Sequence, residues 1–156
     1  MIALTLALSL SLGGVDSLAS FSINKLNFKG PAGWQRAQPD INSLEWLEPE
    51  SGASMAISVF PVDPIRPAQA CVKQLVEALG TEGFQAINVA AQPASRKITN
   101  DFVGDQKADA NKVTTTTVVG CNGKTKWVLT WTAKTSAGGR FGPMLKRVLD
   151  SLSYVK

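Results

Sequence analysis

Residues 111–135, NKVTTTTVVGCNGKTKWVLTWTAKT, decide the fold. Two runs of β-branched and aromatic residues flank Asn122-Gly123. An Asn-Gly pair between such runs is the strongest short hairpin signal, because a two-residue type I′ turn needs positive φ at both central positions. With that turn, Cys121 faces Lys124, Val119 faces Lys126, Thr117 faces Val128 and Thr115 faces Thr130. The opposite side then carries Val118 with Trp127, Thr116 with Leu129 and Thr114 with Trp131. Large apolar groups fall on both sides, so the hairpin is expected to be covered on both, in a layered arrangement; a sheet with one wet face would alternate more cleanly.

Outward from the hairpin, residues 23–28 read as a short strand, and 30–34 (GPAGW) as a turn with an aromatic plug. Residues 44–47 and 53–62 read as a second hairpin, with Met55, Ile57 and Val59 on one face. Pro67 suits the first turn of a helix running to Leu79, where Cys71, Val72, Leu75, Val76 and Leu79 form one stripe and Gly80 a C-cap. Two further strands lie within 83–91 and 94–103, with a polar turn at 104–111. The closing helix, 140–152, places Phe141, Met144, Leu145, Val148, Leu149 and Leu152 on one stripe, with Lys146 and Arg147 toward solvent.

The N-terminal segment reads differently. Residues 2–12 are almost uncharged and apolar, and Ser17 and Ala19 fit the −3 and −1 positions of a signal-peptidase site. The run is shorter than the about 20 residues a bilayer requires. We therefore expect a signal peptide at 1–19, a single domain at 20–156, export to the periplasm or beyond, and no transmembrane span in the mature form. A buried N-terminal helix or strand is the alternative. In an exported protein two cysteines suggest one disulfide, Cys71 to Cys121, worth up to about 4 kcal/mol for a closed loop of about 50 residues on the chain-entropy model. Two buried free thiols are the other reading.

Charge is uneven along the chain. Residues 111–156 carry eight Lys or Arg against Asp150 alone, whereas 20–110 carry eight basic and ten acidic residues. Such asymmetry suits an acidic protein or an anionic envelope component, with a solvated surface as the plain alternative. The residues expected to form this basic face are Lys124, Lys126, Lys134, Arg140, Lys146 and Arg147, with Trp127 and Trp131 beside them.

Catalytic signatures are missing. The sequence contains no histidine, which removes Ser-His-Asp and Cys-His nucleophile systems and His-ligated zinc. Gly123-Lys124-Thr125 lacks the upstream glycine of a phosphate-binding loop and does not open a helix. Ser22-x-x-Lys25 has the spacing of a Ser/Lys pair, but in an extended segment those side chains point to opposite faces. Glu45, Glu48 and Glu50 straddle Pro49, and Asp101, Asp105 and Asp109 lack a calcium loop's ligand pattern. No enzyme activity, cofactor, metal or nucleic acid is expected, and the chain is expected to be a monomer. The reading is a binding module acting through the basic face, with a carrier of a small ligand or lipid in a tryptophan-lined cleft as the first alternative and an enzyme working with carboxylates or Ser/Lys alone as the second.

The order of elements also resembles a known family. Phe28 followed by Pro31-x-Gly33-Trp34, a hairpin ending in Val59-Phe60-Pro61-Val62, one helix, a meander, and a closing helix ending in Leu149-Asp150-Ser151-Leu152-Ser153-Tyr154 are similar to the PsbP-like superfamily. Its relatives include the Mog-type proteins that bind the GTPase Ran, and many exported bacterial proteins. The resemblance implies an α+β fold, an antiparallel sheet with helices packed on it as an α/β/α sandwich, and no enzyme. Metal roles linked to photosystem members use His, so they do not carry over. Ran is intracellular, so that partner does not carry over to an exported chain.

Overall fold

The hairpin forms, but in another register. In the computed structural model, which describes residues 16–156, its strands are Lys112–Cys121 and Thr125–Lys134. Cys121 pairs with Lys126, Val119 with Val128, Thr117 with Thr130 and Gly120 with Trp127. Every pairing has slid by two residues from the expected one. A two-residue slip preserves the side-chain period, so each residue keeps its face while changing its partner. The cause lies at the turn. The Asn122 side chain accepts from the backbone N–H of Lys124 (3.0 Å) and Thr125 (2.8 Å) and the Asn122 N–H donates to the Thr125 carbonyl (3.2 Å), which centres the turn on Gly123-Lys124, one residue beyond the expected Asn122-Gly123. Gly123 alone has positive φ there, and its carbonyl accepts from the Arg66 N–H at 3.3 Å.

The rest of the chain assembles around this pair. The strands are β1 (Leu18–Ile23), β2 (Leu26–Pro31), β3 (Gln35–Asp40), β4 (Ser43–Leu47), β5 (Ser54–Pro61), β6 (Gln85–Val89), β7 (Gln92–Phe102), β8 (Lys112–Cys121), β9 (Thr125–Lys134) and β10 (Ser153–Tyr154). The helices are α1 (Ala68–Leu79) and α2 (Gly138–Ser151). Seven strands form one antiparallel sheet in the order β3-β4-β5-β9-β8-β7-β6; β1, β2 and β10 form a small second sheet. Helices lie on both faces of the large sheet, so the fold is an α+β, α/β/α sandwich.

The two faces are covered unequally. On one, Trp46, Met55, Ile57, Val59, Val118, Trp127, Leu129 and Trp131 meet Phe141, Met144 and Val148 of α2 and Leu26 and Phe28 of β2 in the main core. On the other, α1 packs on β7 and β8 around Val62, Cys71, Val72, Val119 and Cys121. Beyond α1 this face is small and polar, with hydroxyl pairs Ser43–Ser58 (2.8 Å) and Thr115–Thr132 (3.0 Å). The expectation of cover on both sides therefore holds over β7 and β8 but not across β3 to β5, where Glu45, Leu47 and Phe60 are exposed. Threonine and serine supply strand propensity and cross-strand bonds there without an apolar partner layer.

Other expectations need correction. Residues 23–28 are not one strand: Ile23 ends β1, Asn24 and Lys25 turn at φ 45° and 65°, and Leu26 to Phe28 begin β2. The Asn24 side-chain amide donates to Asn42 Oδ1 and to the Val59 carbonyl, both at 2.7 Å, which ties the turn to the sheet. β3 was missed because all six of its residues are exposed and show no alternation. The cleavage point expected before Ser20 falls inside β1, whose Leu18 and Ala19 pair with Pro31 and Gly30; residues 1–15 of that segment lie outside the described residues.

The two-residue turns of β1–β2 and β6–β7 carry no glycine. Ala90 and Ala91, joining β6 to β7, sit at φ 53° and 58°, the left-handed region where a Cβ costs energy. Substituting an Asn-Gly dipeptide for this pair (Ala90→Asn with Ala91→Gly) is expected to raise stability by about 1 kcal/mol, read as a higher urea midpoint at unchanged m. A lowered midpoint would contradict this turn geometry.

Candidate binding site at the hairpin tip

The expected disulfide is present: Cys71 in the first turn of α1 is bonded to Cys121 at the end of β8, with Cα atoms 6.1 Å apart. It binds the start of α1 to the sheet face that carries Val119. The segment before α1 is held to the same place, since the Val62 N–H donates to the Lys124 carbonyl at 2.8 Å. Gly123 permits this approach, because a Cβ there would lie 2.5 Å from the Arg66 carbonyl oxygen. Arg66 and Lys126 consequently line one small cavity of about 120 Å³ together with Cys71 and Gln74.

On the other side of the tip lies a groove of about 650 Å³. Lys124, Lys156, Asn122, Gln92 and Tyr154 line it. Beneath them Trp127 Nε1 donates to the Tyr154 hydroxyl at 2.8 Å. Burial pushes the Tyr154 hydroxyl above its ordinary value near 10, while the donated bond pulls it the other way. A pKa raised on folding means that this group's contribution is complete below pH 10 and is lost as pH climbs through the folded value. Tyr154 is the single tyrosine of the chain. Its absorbance titration should therefore show a native midpoint above that in urea, and melting temperature should fall more steeply above pH 10 than in Tyr154→Phe. A native midpoint at or below the urea value would contradict the burial.

The six cations of the expected basic face are not brought together. Lys124 and Lys126 stand at the tip. Lys134 is at the far end of β9. Arg140, Lys146 and Arg147 belong to α2, which packs on the opposite face from Lys126. The α2 cations are also engaged within the molecule. Arg140 pairs with the buried Glu48 (2.7 Å) and with Asp16 (3.1 Å), and stacks 4.5 Å over the Phe141 ring. Hydrogen bonding to Glu48, with a further bond to Asp16, raises its pKa against the opposing effect of burial, so it stays charged. Lys146 pairs with Asp150 at 2.5 Å, and Arg147 donates to the Asp16 carbonyl at 2.7 Å. Among the described residues, Lys124, Lys126, Arg66 and Lys156 have no ion-pair partner within 4.0 Å.

Arg66 and Lys156 were missed at the sequence level. Arg66 lies 58 residues before Lys124 (124 − 66), and only the loop contact reveals their closeness. Trp46 borders a groove of about 560 Å³ with Gln35, Arg36 and Leu47, but the four tryptophans do not come together around one cleft. Trp34, Trp46, Trp127 and Trp131 expose 6, 1, 0 and 3% of their surface, and their rings pack against Phe21, Phe28 and Phe141 or across the strands. Among the described residues no group of three or more His, Cys, Asp or Glu could hold a metal, and no helix is long and apolar enough to cross a membrane.

Fold and site thus define an α+β sandwich with unpaired cations at one end of its central hairpin. No family model matches the sequence, and no curated protein sequence matches it significantly. Solved structures do match. The solution structure of cyanobacterial PsbP (CyanoP) from Synechocystis sp. PCC 6803 is similar over 94% of this chain and 97% of its own, with 12% identity and a TM-score of 0.61. A crystal structure from Bacteroides thetaiotaomicron is similar over 85% of this chain, with 12% identity and a TM-score of 0.65, but this chain covers only 46% of it. A protein of unknown function, PA94, from Pseudomonas aeruginosa is similar over 89% of this chain and 98% of its own, at 16% identity and a TM-score of 0.50. At these identities the likeness is one of fold alone.

Proposed function

We propose that the protein is a non-catalytic, exported binding module that docks on an acidic protein surface through the tip of its central hairpin. One observation carries the reading: Lys124, Lys126, Arg66 and Lys156 gather around the tip with no ion-pair partner among the described residues, while the α2 cations are engaged by Glu48, Asp16 and Asp150 and Lys134, also unpaired, stands apart at the far end of β9. Cations without an ion-pair partner offer charge to a partner without first breaking an internal salt bridge, and they steer encounter with an acidic surface. The PsbP-like fold agrees with a binding role, since the resemblance implies no enzyme. The expected basic face is thereby narrowed to one end of the hairpin.

Affinity capture from the native envelope tests this with two variants. Lys124→Glu, Lys126→Glu and Arg66→Glu together should abolish capture of an acidic partner, whereas Lys146→Glu with Arg147→Glu should retain it. Capture retained by the tip variant and lost by the α2 variant would overturn the assignment. Capture of anionic lipid alone, equally by both variants, would also overturn it.

A further inference from the structure

The two edges of the large sheet are built differently. β3, at one edge, is guarded: it carries Arg36, Pro39 and Asp40, and its register against β4 is broken between Ala37 and Asp40. Charges, proline and bulges are the devices that keep an edge strand from pairing with another chain. β6, at the other edge, is Gln85-Ala86-Ile87-Asn88-Val89, with no charge, no proline and an unbroken register to β7.

Which backbone groups this edge offers follows from its turn. In a two-residue hairpin the pair flanking the turn, here Val89 and Gln92, is hydrogen bonded, and bonded and non-bonded pairs then alternate. Gln85, Ile87 and Val89 therefore spend their N–H and C=O groups on β7. Ala86 and Asn88 point theirs outward, and among the described residues the bonds beyond regular strands and helices include none from either. Two outward residues, each with one donor and one acceptor, match an added antiparallel strand.

A cleft runs beside the same edge. It holds about 410 Å³ between α1, which supplies Val72, Lys73 and Val76, and a floor that includes Ala86, Pro93 and Ser95. The floor is low because its side chains are small, and α1 stands over β7 and β8, so β6 is left open beside the helix. We infer that the β6 edge and the α1 cleft together form a second binding site, one that takes an extended segment of another polypeptide as an added strand. Backbone bonds to Ala86 and Asn88 hold the segment. Alternate side chains of the guest, small or β-branched and apolar, enter the cleft against Val72 and Val76. Main-chain bonds give such sites their affinity and the adjoining pocket their specificity. The site uses none of the tip cations, so it stands independently of the docking role proposed above.

A displayed library of random dodecapeptides, panned in parallel on the protein and on Ala86→Pro, tests the inference. Proline at 86 deletes an outward N–H and leaves the bonds to β7 in place, a position where an edge strand tolerates it. Ala86→Ser keeps the N–H and is the matched control. The selected pool should bind the protein and Ala86→Ser alike and Ala86→Pro at least tenfold more weakly. Bound peptide should slow amide exchange at Ala86 and Asn88, and its sequences should alternate apolar β-branched residues. Equal binding to Ala86→Pro, no enriched pool, or protection confined to β3 would overturn the inference. So would a concentration-dependent dimer that Ala86→Pro abolishes, because the edge would then belong to a second copy.

Discussion

Reducing the Cys71–Cys121 bond, or replacing both cysteines by alanine, is expected to lower the melting temperature by about 10 °C. The bond closes a loop of 50 residues, and on the chain-entropy model that contributes up to about 4 kcal/mol, of which bridges commonly deliver about 3. For a domain of this size 1 kcal/mol corresponds to about 3–5 °C. The loss should concentrate in α1, whose buried residues are Cys71 and Val72 alone. Amide exchange in α1 should then rise well before exchange in β8 or β9, by local opening. Each single Cys→Ala variant should match the double one, since each breaks the same bond. A melting temperature within 2–3 °C (about 0.5–1 kcal/mol) of the oxidised protein would mean that α1 is held by packing alone.

Gly120→Ala is expected to cost almost as much, for a different reason. Gly120 is the cross-strand partner of Trp127, and a Cβ added there would lie 2.3 Å from the indole Cζ2 and 2.4 Å from Cε2. Trp127 is fully buried and anchored through Nε1 to Tyr154, so it has nowhere to retreat. Overpacking of this kind costs about 1–3 kcal/mol, and the rigidity of the anchored ring places this case near the top. Trp127→Leu alone should lose about 3 kcal/mol through the cavity it leaves. The same substitution makes room for the Cβ, so the double variant should be less destabilised than the sum by more than about 1 kcal/mol. Additive losses would show that the ring does not lie across Gly120. Gly30 has the same relation to Trp46, with a Cβ at 2.9 Å from its ring, which suggests the same test there.

These two residues also show what could and could not be read from the chain. The apolar stripe of α2, that of α1 apart from the exposed Leu79, the faces of β8 and β9 and the Cys71–Cys121 pair were legible, because each rests on a short period or, for the cysteines, on the expectation of export. A slip of two residues left the faces right and the partners wrong. The turn that caused it depends on Arg66, a contact no local pattern announces. β3 was illegible because an exposed edge strand needs no alternation, and the turns at Asn24-Lys25 and Ala90-Ala91 because they lack glycine. The basic bias was visible as a count. Its division into free and engaged cations was not, since Arg140 and Glu48 are 92 residues apart and Arg147 and Asp16 131 apart. The composition of β6 was on the page from the start, but only the strand order makes it an edge.

The hairpin register underlies all of this. It sets Cys121 over α1, Gly120 under Trp127 and Lys126 beside Arg66. Cross-strand Hα–Hα contacts in a nuclear Overhauser spectrum read it directly, because these protons come closest in the non-hydrogen-bonded pairs. Asn122 N–H donates to the Thr125 carbonyl at 3.2 Å, which makes that pair hydrogen bonded and leaves Cys121–Lys126 and Val119–Val128 as non-bonded pairs. Strong Hα–Hα contacts are expected for Val119 with Val128 and Cys121 with Lys126. Contacts of Val118 with Trp127 and of Gly120 with Thr125, the non-bonded pairs of a hairpin turning at Asn122-Gly123, would instead contradict the register, and with it the placement of the site.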